Sequence, residues 1–304
     1  SVMSERRVIE VFAHWEALGD PRLMGYLYGA PSRGKEIFSF EYEPDWLKNS
    51  DCFGLDPNLG LYGGLQYPAA GRENFGLFFD SCPDRWGRVL MLRREALWAR
   101  MEGRPERRLL ESDYLLGVHD GHRMGALRFR SEPHGPFLDD NDEFASPPWT
   151  SLRELAVASM ELERADAPED PNYAKWLRML IAPGGSLGGA RPKASVVDEA
   201  GGLWIAKFPS RNDFRNMGAW EAVVHHLAQG AGVIVPEAQG RRFGSEQHTF
   251  LTKRFDRTRS QKRSHFASAM TLLDRRDGDD AGVGASYLDM ADLIIRQGAN
   301  PGAD

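Results

Sequence analysis

The stretch Pro183-Gly-Gly-Ser-Leu-Gly-Gly-Ala-Arg-Pro-Lys193 places four glycines within six residues, between two prolines. Glycine adopts positive φ angles and lets a backbone approach a ligand closely, whereas it weakens regular elements. Successive backbone N–H groups in such a loop can form a concave anion site, and Arg191 and Lys193 bring positive charge to its end. The loop alone is equally consistent with a phosphate cradle and with an ordinary surface turn.

The segment after this loop resembles the nucleotide-binding strand of a protein kinase. No Walker pattern is present, because Ala190 and Arg191 follow Gly189, and the sequence contains no strict Gly-x-Gly-x-x-Gly fingerprint. A kinase instead covers the phosphates with a glycine-rich loop, and a strand lysine pairs with a helix glutamate. Lys207, in Trp-Ile-Ala-Lys-Phe, and Glu221, fourteen residues later in a helical pattern, match that arrangement. The alternative is a solvated strand lysine and a solvated helix glutamate.

Composition and charge exclude several other classes of protein. The 304 residues are 41% hydrophobic and 27% charged, which is ordinary for a globular protein of two domains or subdomains. A net charge of −6 argues against sequence-independent DNA binding. Two cysteines without metal-ligand spacing, no membrane-length apolar run and no signal-like start predict a cytoplasmic protein without disulfides.

The order of predicted elements is α+β. Alternating apolar patterns over residues 7–42 predict a meander of strands, and the 3.6-residue period predicts a helix near residues 85–98. A segment rich in Pro, Asp and Asn at 131–149 is the best linker candidate, so we place subdomains at 1–148 and 149–304. The second begins with helices and continues through strands near 194–197, 203–208, 238–243 and 249–255, with helices near 216–229, 265–273 and 286–297.

Several segments, taken in this order, resemble the HipA family of bacterial toxin–antitoxin serine/threonine kinases. They are Ser186-Leu-Gly-Gly-Ala-Arg-Pro-Lys193, Ala206-Lys-Phe-Pro, Glu221 and Leu251-Thr-Lys-Arg-Phe-Asp-Arg257. Two segments of the first half match more loosely: Phe38-Ser-Phe-Glu-Tyr-Glu-Pro-Asp-Trp-Leu, and Phe79-Asp-Ser-Cys-Pro-Asp-Arg-Trp-Gly-Arg, in which cysteine replaces the family's leucine. The resemblance covers nearly the whole chain. It implies a mainly β N-terminal subdomain, a kinase-like N-lobe and the start of a helical C-lobe.

The resemblance also implies a set of site residues and cofactors. ATP with Mg²⁺ would bind at the glycine-rich loop, at a lysine–glutamate pair and at a hinge whose backbone reads adenine. The implied ATP-binding residues are Leu187, Gly188, Gly189, Ala190, Arg191, Lys193, Lys207, Glu221, Lys253, Phe255 and Asp256. Lys253 and Phe255 would offer backbone groups to adenine, and Asp256 would lie close to the nucleotide.

The resemblance further implies regulation and partners. Ser186 would match the serine that family members autophosphorylate, and a phosphate there would add about −1.5 to −2 charge to a loop that receives ATP. We therefore expect self-inhibition. A helix-turn-helix, HipB-like antitoxin is the implied partner, and DNA would be contacted only through it. The protein substrate is not implied.

The chain departs from the kinase pattern in one large respect. A kinase needs a catalytic-loop Asp with Asn five residues on, followed by a metal-binding Asp, and no Asn in this chain has Asp five residues before it. We expect those groups beyond Asp304, so the isolated fragment should be inactive. Alternatives are a non-catalytic binding module, for an antitoxin or a separate kinase lobe, and an unrelated anion-binding module. The cationic run Arg254, Arg257, Arg259, Lys262 and Arg263 is interpreted as a solvated face, with a phosphate or acidic-substrate site as the alternative.

Overall fold

A computed structural model describes residues 6–50, 52–141, 145–181 and 189–302. Its strands are β1 Arg7–Ala13, β2 Arg22–Ser32, β3 Lys35–Tyr42, β4 Leu127–Arg130, β5 Lys193–Val197, β6 Leu203–Lys207, β7 Ala238–Arg241 and β8 Thr249–Lys253. Its α-helices are α1 Pro44–Leu47, α2 Gly76–Phe79, α3 Arg85–Glu102, α4 Glu111–Leu116, α5 Leu152–Leu162, α6 Tyr173–Ile181, α7 Met217–Gly230, α8 Ala269–Leu272 and α9 Tyr287–Gln297. The α+β prediction is confirmed.

The first half is built on an antiparallel sheet in the order β3-β2-β1-β4. β2 and β3 are joined by Arg33 and Gly34, whose φ angles of 47° and 80° suit the twist of a two-residue hairpin. The alternation of this meander directs Ile9, Leu27 and Phe40 into a core that Phe78 of α2 closes. The predicted meander is therefore present, and its apolar face is fully covered.

The second half is built on a second antiparallel sheet, in the order β5-β6-β8-β7. Helix α5 packs against β5 and α6 packs against α5, and Leu155 and Leu177 of these helices share one buried cluster with Val196 of β5 and Trp204 of β6. This arrangement makes β6 a central strand. Lys207 is the last residue of this central strand.

The two halves share core residues. Trp86 and Leu90 of α3 precede the predicted boundary at residue 148, yet they lie in the buried cluster of the second sheet. Pro148 itself forms a bridge with Val197 of β5. The boundary stays a prediction, but the second core depends on a helix that comes before it in the chain.

Within the described ranges, no helix combines the length and the apolar character that a membrane span requires.

Candidate functional site

A strand and a helix bring Lys207 and Glu221 together. Lys207 Nζ donates to Glu221 Oε2 over 2.7 Å, and the two side chains are 33% and 30% exposed. The partial exposure leaves the ammonium reachable by a ligand, and the ring of Phe250 on β8 lies 5.6 Å from it. The pair predicted from sequence spacing is therefore in contact.

The start of α7 is held tightly against the second sheet. Asn216 caps the helix by accepting from the N–H of Ala219, and the same oxygen accepts from the N–H of His248 at 2.9 Å. Only glycine fits at position 218, because a Cβ there would lie 1.9 Å from the carbonyl oxygen of His248. Glu221 lies one turn further along, so this close packing fixes its position opposite Lys207.

The glycine-rich run is described only at its end. Ser186, Leu187 and Gly188 lie outside the described residues, and Ala190 is exposed. Gly189 has φ of 89°, a conformation that favours glycine. Its carbonyl oxygen accepts from Lys193 Nζ at 3.0 Å and from the N–H of Trp86 at 3.4 Å. The end of the run is thus bound to the N-terminus of α3.

Lys193 makes a buried ion pair that the sequence did not indicate. Its Nζ lies 2.6 Å from Asp84 Oδ2, and the side chains are only 2% and 4% exposed. Burial lowers the pKa of Lys193 and raises that of Asp84, while each charge favours ionisation of the other. Lys193 is paired in register with Lys207, so it stands beside the Lys207–Glu221 pair. Its ammonium already has two protein partners.

Arg191 is also engaged by the protein. Its two Nη atoms contact the two carboxylate oxygens of Asp213, a bidentate arrangement, and the N–H of Ser210 donates to Asp213 at 2.8 Å. Planar guanidinium–carboxylate pairs of this kind are geometrically specific. Arg191 therefore connects the end of the glycine-rich run to the loop after β6.

The predicted hinge lies at the end of β8. The N–H of Lys253 donates to the carbonyl of Glu237 at 2.8 Å, so this donor is used within the protein. Phe255 is 57% exposed, and its ring packs on Phe266 with centroids 5.6 Å apart. Adenine recognition by the backbone of Lys253 and Phe255 stays a prediction.

Asp256 is enclosed by cations. Its carboxylate accepts from Arg254 at 2.8 and 2.6 Å, from Arg257 at 2.7 Å and from the N–H of Gly125 at 2.8 Å. The side chains of Arg254 and Asp256 are 0% exposed. Burial opposes ionisation, but the hydrogen bond and charge of Arg254 hold the pKa of Asp256 below its usual value. A nucleotide contact by this carboxylate would require these bonds to be exchanged.

The interpretation of the cationic run as a solvated face is wrong for most of its members. Arg254 and Arg263 are buried, and the side chain of Arg257 is 5% exposed. Arg263 contacts Asp120 at 3.1 Å, and Arg128 contacts the same carboxylate at 2.6 Å. Only Arg259 and Lys262 are exposed. The buried arginines join the end of β8 to the first half of the chain.

Sequence reasoning missed the partners of these side chains. Asp84, Asp213 and Gly125 carried no assigned role, although an Asp directly before a helical pattern is the usual sign of an N-cap, and Asp84 caps α3 by accepting from Gly87. Among the described residues, no group of three or more His, Cys, Asp or Glu side chains is placed to hold a metal ion.

Comparisons with known proteins agree with this architecture. The sequence model of the HipA-like C-terminal domain matches residues 185–304, which include the glycine-rich end, both members of the Lys207–Glu221 pair and β8. Residues 185–304 of this chain are therefore similar to the HipA-like C-terminal domain. The prediction of this resemblance from the quoted motifs is confirmed.

A solved structure shares the HipA-like fold beyond the matched domain. It is titled "Shewanella oneidensis MR-1 Toxin Antitoxin System HipA, HipB and its operator DNA complex", and its similar chain has 18% sequence identity and a TM-score of 0.55. The alignment covers 94% of this chain and 64% of the solved one, so this chain spans less than two thirds of that protein's length. No curated protein matches the chain significantly.

Proposed function

We propose that this HipA-like chain carries the nucleotide-binding part of a serine/threonine protein kinase, which transfers the ATP γ-phosphate to a protein hydroxyl. The contact between Lys207 and Glu221 is the observation that carries the proposal. In protein kinases, a helix glutamate holds a strand lysine so that the lysine's charge lies at the ATP phosphates. Here the Lys207–Glu221 pair lies beside the end of a glycine-rich run, within the residues that match the HipA-like domain.

The exposure and pairing of Lys207 suit contact with the triphosphate of ATP. Lys207 is partly exposed and has one carboxylate partner, so its ammonium can remain held by Glu221 while it approaches a phosphate. Preorganised cations of this kind oppose negative charge that develops during phosphoryl transfer. The described residues show no carboxylate cluster for Mg²⁺, so we derive no step through the ion and assign its ligands to no residue of this chain.

Autophosphorylation and antitoxin binding belong to the same proposal. Ser186 lies within the family-matched segment, at the centre of the glycine-rich run, and phosphate there would repel the ATP phosphates. The similar solved chain is part of a complex with HipB and operator DNA, which supports a HipB-like partner and indirect DNA contact.

A non-catalytic binding module is the second candidate, and exposed apolar side chains favour it. Trp220, Val223, Val224 and Leu227 of α7 are 54%, 48%, 61% and 64% exposed and follow an i, i+3, i+4, i+7 spacing. Such a stripe is typical of a helix face that packs against another element. ATP binding by the chain would favour the nucleotide-binding part of a kinase, whereas a partner bound equally with and without ATP would favour the module.

Calorimetric titration of ATP into the chain tests the proposed site. Lys207→Ala should weaken binding about tenfold or more, because a charge-assisted contact contributes roughly 1.5–3 kcal/mol. Lys35→Ala is the matched control. Lys35 is also a strand residue in an ion pair, with Glu73 at 3.4 Å, but it belongs to the other sheet. Equal ATP affinity for wild type and Lys207→Ala would refute the site.

A further inference from the structure

The N-terminus of α3 holds the end of the glycine-rich run at three points. Asp84 contacts Lys193 Nζ at 2.6 Å, and the same ammonium donates to the Gly189 carbonyl at 3.0 Å. The N–H of Trp86 donates to that carbonyl as well, and Trp86 Nε1 donates to the carbonyl of Lys193 at 3.2 Å. Asp84 and Trp86 come from the first half of the chain, more than 100 residues before the loop they hold.

The Asp84–Lys193 pair is built as a rigid part of the interior. Both side chains are almost fully buried, and the other oxygen of Asp84 accepts from the N–H of Gly87 at 2.7 Å. The carboxylate is therefore fixed by a helix cap on one side and by an ammonium on the other. Fixed partners on both sides restrict Lys193 to the orientation in which it reaches Gly189.

The pair also determines which lysine is left for a ligand. Lys193 and Lys207 are register partners on β5 and β6, and antiparallel partners lie on the same face of a sheet. Asp84 neutralises the first lysine and Glu221 neutralises the second. Buried Lys193 binds the Gly189 carbonyl, whereas partly exposed Lys207 stays accessible to a ligand.

We propose that Asp84 is a positioning residue of the nucleotide site: through Lys193 it fixes the Gly189 carbonyl, and with it the end of the glycine-rich run, relative to Lys207. This inference rests on the proposed ATP site and assigns a role in it to the first half of the chain. Asp84 itself contacts no nucleotide. Its effect on binding passes through Lys193 and Gly189.

A pair of substitutions separates positioning from stability. Lys193→Met removes the ammonium and leaves a buried, unpaired carboxylate, so its melting temperature should fall strongly. Adding Asp84→Asn removes that charge while the asparagine retains the cap, so much of the loss should be recovered. In both variants the Gly189 carbonyl lacks its ammonium donor. ATP affinity should therefore remain about tenfold below wild type in the recovered double variant.

Glu95→Gln is the matched control in the same helix. Glu95 is a buried carboxylate of α3 that pairs with Arg104 at 2.6 Å. It lies eleven residues after Asp84, away from the helix N-terminus that contacts the loop. This variant should lower the melting temperature and leave ATP affinity unchanged. Recovery of ATP affinity together with the melting temperature in the double variant would overturn the proposal, because the pair would then be only structural.

Amide hydrogen exchange of the nucleotide-free chain tests the positioning role of Asp84 independently of ATP binding. Asp84→Asn alone, which preserves the cap, should speed amide exchange in a peptide covering 189–197 and at Trp86. Unchanged exchange there would overturn the positioning role even if the chain binds ATP. Conversely, faster exchange in a chain that binds no ATP would refute the proposed function and leave the positioning of Gly189 standing.

Discussion

Replacing Asp256 with asparagine tests the buried cationic junction between the two halves of the chain. The carboxylate accepts four hydrogen bonds, from Arg254, Arg257 and the N–H of Gly125, and it is fully buried. An asparagine of the same size would keep one acceptor oxygen, but its amide group would face guanidinium donors. Two buried cations would also lose their neutralising charge.

The expected loss of stability is large. Breaking a buried ion pair by removing one partner costs about 3–5 kcal/mol, whereas an exposed pair contributes about 0–1 kcal/mol. For a chain of this size the larger loss corresponds to a fall in melting temperature on the order of 10 °C. Asp45→Asn is the control, because Asp45 also pairs with a cation, Lys48, but its side chain is 85% exposed.

Urea unfolding followed by circular dichroism measures this difference. Asp256→Asn should shift the midpoint clearly, and Asp45→Asn should leave it almost unchanged. The pKa of Asp256 is held below its usual value, so its stabilising contribution is present above about pH 4 and lost as the pH falls further. The difference between wild type and Asp256→Asn should therefore shrink in acid. A variant as stable as wild type at pH 7 would refute the enclosed arrangement of Asp256.

Two further predictions concern α7 and a buried histidine. Gly218→Ala should weaken ATP binding and lower stability, because the added Cβ would displace α7 and Glu221. Gly230→Ala in the same helix should change neither, because its Cβ would meet no atom within 4 Å. Titration calorimetry with ATP and scanning calorimetry compare the two variants. Burial lowers the pKa of His265 to about 4, so stability should fall as the pH drops from about 6.5 toward 4, and His265→Phe should remove that part. NMR titration showing His265 at an ordinary pKa would contradict the second.

Local sequence patterns predicted what is local in the structure. Alternation and the 3.6-residue period placed β6 and α7, and the spacing between Lys207 and Glu221 predicted their contact. The Asp84 partner of Lys193 and the Gly125 partner of Asp256 could not be predicted in this way. Asp84 lies 109 residues from Lys193, and Gly125 lies 131 residues from Asp256.

The same limit explains the misjudged arginines. Arg254 and Arg263 are charged residues in a hydrophilic run, a composition that usually indicates a solvated face. Burial was possible because Asp256 pairs with Arg254 locally, while Asp120 and backbone carbonyls of residues 120–123 meet the two arginines from the first half of the chain. Only the packing of the two halves brings these acceptors to the arginines.

The most direct measurement of the central claim uses an ATP derivative with a reactive acyl group on its terminal phosphate. Such a group acylates a lysine beside the bound phosphates, and mass spectrometry of the digested chain locates the label. We predict that Lys207 is labelled and that excess ATP suppresses the labelling, while Lys193 is protected by Asp84. Label that avoids Lys207, or that accumulates on exposed lysines such as Lys35 and Lys48 regardless of ATP, would contradict a nucleotide site at the Lys207–Glu221 pair.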